Sequence, residues 1–80
     1  MTETTREVSF RDIPSEQRPL LLVASGVLST TALREAADLE DALRRLLLMG
    51  TETGIDGSIA YLCEFVLEMA WALRRSAEDG

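Results

Sequence analysis

Ile59-Ala60-Tyr61-Leu62-Cys63-Glu64-Phe65-Val66-Leu67-Glu68-Met69-Ala70-Trp71-Ala72-Leu73 is the stretch on which the reading of this chain turns. Ile59, Leu62, Val66, Met69 and Leu73 repeat at 3-4-3-4 spacing, the stripe of an amphipathic helix. Cys63, Leu67, Ala70 and Ala60 widen that stripe on one side, and Phe65 widens it on the other. At about 100° per residue the apolar arc covers roughly 220°, against the 100° or so of a helix that buries one side. Glu64, Glu68 and Arg75 mark the expected solvent stripe, with Tyr61, Trp71 and Ala72 on its borders. One neighbouring helix cannot cover such an arc. A second neighbour is required, either the N-terminal part of the chain or another copy of the whole.

The neighbour in sequence is a second amphipathic helix, over about Thr30 to Met49. Ala32, Ala36, Leu39, Leu43 and Leu46 recur at 4-3-4-3 spacing, with Leu33 and Leu47 beside them. Arg34, Asp38, Asp41, Arg44 and Arg45 take the opposite side, where a solvated face is the ordinary reading. Ser29 is the expected N-cap and Gly50 the expected stop. A short Thr51–Ile55 connection, then a cap from Asp56 or Ser58, makes the two helices, about 30–49 and 57–77, antiparallel neighbours. Arg74 and Arg75 suit the negative end of the last helix.

Upstream, Leu20-Leu21-Leu22-Val23-Ala24 sits between Pro19 and Ser25-Gly26, an apolar run of strand length. Val8, Phe10 and Asp12 alternate with Ser9 and Arg11, as in a weak strand or extended arm, and Ser15–Arg18 between the two prolines reads as a loop. The division is therefore an arm over 1–19, partly flexible, and a strand plus helical hairpin over 20–80. The fold class is mainly α.

Length and composition limit the chemistry. The 80 residues carry a net charge of −6, with 46% hydrophobic and 28% charged residues, which suits one small globular domain. The eight cations are all Arg; there is no Lys, His or Asn, and one Cys. That removes imidazole nucleophile triads, imidazole metal sites, Schiff-base lysines, an intrachain disulfide and a thiolate zinc cluster. No enzyme, no cofactor and no metal are expected. Glu64 and Glu68, one turn apart, are too few oxygens for calcium. The Gly50, Gly54, Gly57 string follows a helix and has no preceding strand, so it is no phosphate loop. Cys63 reads as a buried structural thiol. The chain has no apolar run of membrane-spanning length and a polar N-terminus unlike a leader, so no membrane role and a cytoplasmic location are expected. Arg-only cations with many Ala and Leu fit a GC-rich bacterial or phage coding sequence.

A two-helix hairpin of this size has little core, and chains this short commonly recover stability by oligomerising when disulfide and metal are absent. The expectation is a homodimer in which two hairpins form a four-helix bundle, with the Leu20–Ala24 strand free to pair with its symmetry mate. Leu22, Ile59, Cys63, Val66, Leu67, Ala70 and Trp71 are the expected dimer or partner interface. Phe10, Tyr61, Glu64 and Glu68 are further candidate partner contacts, the aromatics because large rings anchor binding hot spots.

Leu21-Leu22-Val23, Gly26-Val27, Ser29, Ala32-Leu33, Ala36-Ala37, Leu39, Ala60-Tyr61-Leu62-Cys63-Glu64, Met69-Ala70 and Ala72-Leu73 together resemble a family of short uncharacterised helical-hairpin proteins common in pseudomonads. The likeness covers about Leu20 to Ala77 and implies the strand-plus-hairpin architecture. That family is of unknown function, so it brings no catalytic residues. In size and layout the chain is also similar to small anti-activators that bind a transcription factor and block its dimerisation. The functional expectation is a regulator or inhibitor that binds a larger bacterial protein by surface contact. The alternative is an acidic phosphate mimic, of the phage anti-defence kind, that inhibits a nucleic-acid-binding protein. Direct nucleic-acid binding is not expected from a chain of charge −6 without a basic cluster.

Overall fold

The computed structural model describes residues 3–78. Its elements are β1 (Val8–Ile13), β2 (Arg18–Val23), α1 (Ser29–Thr53) and α2 (Gly57–Ser76). The N-terminal strands followed by a helical hairpin match the coarse architecture expected. Part of the arm, however, is a strand. β1 pairs antiparallel with β2 in the register Val8↔Val23, Ser9↔Leu22, Phe10↔Leu21, Asp12↔Pro19, Ile13↔Arg18. The expected loop between the prolines is the hairpin turn: Gln17 takes a φ of 56°, and its N–H donates to the Ile13 carbonyl at 2.9 Å. β2 thus has a ladder partner within its own chain, which removes the reason for seeking one across a dimer. Pro19, Leu21 and Val23 turn inward and Arg18, Leu20 and Leu22 outward, the period-two alternation of a strand.

Residues 3–7 are sewn into the fold rather than left as a flexible arm; Met1 and Thr2 lie outside the described residues, as do Asp79 and Gly80. Thr5 is buried. Its hydroxyl donates to the Ala24 carbonyl at 2.7 Å and accepts from the Val27 N–H at 3.1 Å, which holds the turn before α1. The Arg6 N–H donates to the Ser76 carbonyl at 2.8 Å, where α2 has run out of its own donors.

Both helix boundaries of α1 depart from expectation. Leu28 occupies the N-cap position with no side-chain hydrogen bond, and the Ser29 hydroxyl, already inside the helix, is buried without a partner. The Ser29 N–H instead donates to the Glu3 carbonyl at 3.0 Å. α1 passes through Gly50 and ends at Gly54, whose φ of 87° breaks the helix. Thr51 and Thr53 donate to the Leu48 and Met49 carbonyls, which extends the last turn. Gly50 has a different use: a Cβ there would stand 2.5 Å from Ile55 Cγ1, so its bareness lets Ile55 fold back on the helix. Asp56 caps α2 by accepting from the Ile59 N–H at 2.9 Å, one of the two caps anticipated.

α2 is the central element. It packs against α1 on one side and against β1 on the other, whereas α1 packs on α2 alone. The Cα atoms extend 47 × 33 × 14 Å, a slab in which hairpin and sheet lie side by side. Burial is confined to the seams. Ala32, Ala36 and Leu43 of α1 are buried, as are Cys63, Ala70 and Ala72 of α2 and Phe10 of β1. Cys63 and Ala70, expected at an interface between molecules, therefore lie inside one protomer.

Candidate interaction surface

The face of α2 expected to meet solvent is where β1 sits. Ala72 is 0% exposed, and Glu68 is held by Arg11. Arg11 has a φ of 59°, drops out of the ladder and turns its N–H toward the helix. That N–H donates to Glu68 Oε1 at 2.6 Å, and its guanidinium donates to Oε2 at 2.7 Å. The guanidinium also stacks 4.4 Å from the Phe65 ring centroid and 5.1 Å from that of Tyr61. A cation over two rings and in a charge-assisted pair offsets a backbone conformation that costs about 1–3 kcal/mol. Hydrogen bonds from the Arg11 side chain and backbone hold the Glu68 carboxyl below its ordinary range. Arg74 does the same for Glu40 across the helix pair.

This clamp was not anticipated. Tyr61, Phe65 and Glu68 fall one turn apart on one side of α2, an aromatic and acidic stripe that suits a cation, and Arg11 is the one cation in β1. Its consequences for the expected contacts are direct. Glu68 is engaged within the chain, Glu64 lies 4.0 Å from the same Arg11, and Asp41 pairs with Arg45 at 3.2 Å. With Glu40, which pairs with Arg74, four acidic side chains lie within 4.0 Å of an arginine among the described residues. Phe10 is 7% exposed and belongs to the core, which removes it as a surface contact.

Two of the open depressions are almost wholly apolar. A groove of about 440 Å³ runs between the β-hairpin and the helices, walled by Phe10, Leu22, Val23, Val27 and Ala32 and floored by Leu39, Met69 and Leu73. A second depression of about 170 Å³ continues along the helix seam, lined by Leu39, Ala42, Leu46, Leu62 and Val66. Leu39 belongs to both, so the two form one strip. On α2 that strip takes Leu62, Val66, Met69 and Leu73 of the 3-4-3-4 stripe read from sequence; on α1 it is Leu39, Ala42 and Leu46, again at heptad spacing.

The expected interface residues divide accordingly. Leu22 (54% exposed) and Val66 line the strip, Ile59 is half-buried beside the Thr53–Asp56 loop, and Leu67 and Trp71 look the other way. Trp71 is 51% exposed and has Arg75 stacked 5.4 Å from its ring centroid; Tyr61 is also exposed. By helical geometry Leu67 lies roughly 160° round α2 from Met69. That second face is crossed by the Arg74–Glu40 pair. Among the described residues no group of three or more acidic or thiol side chains is placed to hold a metal ion, and no helix is long and apolar enough to cross a membrane. No protein-family model matches the chain, and no curated protein or solved structure proves similar to it.

Proposed function

We propose that this protein is a small non-enzymatic interaction module that self-associates as a pair of helical hairpins and acts as a regulator or inhibitor of a larger protein. The observation that carries the reading is unfinished burial. The chain exposes 5943 Å², against about 4,800 Å² for a compact protein of its mass. Its radius of gyration is 14.5 Å, against about 11.6 Å for a compact domain of its length. The excess of roughly 1,100 Å² is of the order that one partner contributes to a stable interface, about 800 Å². Leu20, Leu22, Leu62, Leu67 and Trp71 are all more than half exposed, which is the surplus such an interface would use.

Two measurements test the two halves of the reading. Sedimentation equilibrium at micromolar concentration should return twice the 8.8 kDa of one chain; a folded monomer refutes self-association. Affinity capture should retrieve one dominant protein, lost on Trp71→Ala while the circular dichroism spectrum stays unchanged. Retrieval that survives Trp71→Ala refutes Trp71 as the partner contact, and no retrieval refutes the regulatory role.

A further inference from the structure

We infer that the apolar strip is completed by a second copy of this chain, packed about a two-fold axis near Val66, with Leu62 of one copy seated over Met69 and Leu73 of the other. The inference rests on the self-association proposed above and names the face that performs it. Two faces of the slab compete for the role, and three observations select the strip.

The first is continuity. The strip joins two depressions through Leu39, and Glu35 is the one charged residue among the walls of either. The opposite face is interrupted by the Arg74–Glu40 pair and by Arg75 over Trp71, whose charges would have to be desolvated. The second is pattern. Two adjacent heptad stripes on one face are the seam of a four-helix bundle, in which each helix offers knobs to holes in another. The third is shape. α2 is the middle element of the slab, so an isologous contact centred on the slab sets α2 against its own mate. A two-fold axis at Val66, midway along the stripe, runs the two α2 helices antiparallel. That places the protruding Leu62, 53% exposed, opposite the groove floor of Met69 and Leu73. The excess exposed area of the whole chain, roughly 1,100 Å² per protomer, exceeds the ~800 Å² that one partner gives a standard interface.

The test uses the full chain. Leu62 and Ala42 are both exposed in the protomer, so Leu62→Glu and Ala42→Glu leave its fold intact, as circular dichroism will show. Each change counts twice in an isologous contact and should weaken dimerisation at least about a hundredfold. Trp71→Ala and Leu67→Ala should leave the dimer unchanged. In a Cys63→Ala background, Val66→Cys should oxidise with copper-phenanthroline to a covalent dimer, and Trp71→Cys should not. Higher NaCl should tighten the dimer, because it screens two copies of charge −6. A wild-type dimer that ignores Leu62→Glu and Ala42→Glu but dissociates on Trp71→Ala overturns this inference and leaves self-association standing. A folded wild-type monomer overturns both, whereas native mass spectrometry that finds a different protein or a small apolar molecule bound to the wild type and lost on Leu62→Glu overturns this inference alone.

Discussion

Replacing Phe10 by Ala separates a core residue from a surface contact more sharply than any other single change. Phe10 is 7% exposed, paired with Leu21 across the ladder and placed against the groove wall. Removing a buried phenyl ring costs about 3–5 kcal/mol. The groove is open on one side, so water rather than a sealed void takes the vacated space, and the lower end of that range, about 3 kcal/mol, applies. A chain of 80 residues has about 4–12 kcal/mol in all. The loss is therefore a quarter or more of the total. With a urea m-value of about 1 kcal/mol/M for a small domain, the midpoint should fall by about 3 M with m unchanged. The thermal midpoint should fall by about 12–24 °C. Protein concentration must be held constant, because self-association couples stability to it. The assay is urea titration followed by circular dichroism at fixed micromolar concentration, with the exposed Leu20→Ala as control, expected to move by less than about 0.5 kcal/mol. If Phe10→Ala leaves the midpoint in place, the docking of β1 on α2 is wrong.

Other consequences are as open to measurement. Glu68→Gln removes the carboxylate of the clamp and should lower stability at pH 7. Because the folded Glu68 pKa is depressed, its contribution is present above the unfolded carboxyl range and disappears as pH falls through the folded value. The gap between wild type and variant in urea midpoint should therefore narrow on acidification below about pH 4.5, and a constant gap would refute the pairing. Ser29→Ala should be neutral or stabilising by about 1 kcal/mol, since the hydroxyl is buried without a partner; an ordinary N-cap would lose about that amount. Gly54→Ala should cost about 1–3 kcal/mol, because its φ of 87° and ψ of 162° suit glycine alone. Gly57→Ala, with open space around it in the first turn of α2, should instead gain about 0.4–1 kcal/mol.

Both helices and the hairpin between them could be read from periodicity, because 3.6-residue spacing in Ala32–Leu46 and Ile59–Leu73 is a local property. The breadth of the α2 arc also showed that a second neighbour was needed. Which neighbour lay where was not local. β1 reaches α2 through Arg11, at a sequence separation of 57 from Glu68, and it does so by an unusual backbone conformation at a non-glycine residue. Nothing in the alternation of Val8, Ser9 and Phe10 signals that turn. The same contact explains why Ala72, on the border of a supposed solvent stripe, is fully covered. Gly50 was read as a stop because glycine usually ends helices; its bareness instead accommodates Ile55, five residues on. Ser29 failed as a cap because the helix begins one residue earlier than expected: Leu28 takes the N-cap position and the Ser29 hydroxyl, inside the first turn, is buried without a partner.

The bond from Arg6 to Ser76 closes nearly the whole length of the chain. A ribosome makes Arg6 well before Ser76, so β1 and β2 emerge long before the helix they rest on exists. Until α2 is complete, α1 has no neighbour and the sheet has no floor. The sheet and α1 therefore settle only once α2 is clear of the ribosome, and their apolar sides stay bare through that delay.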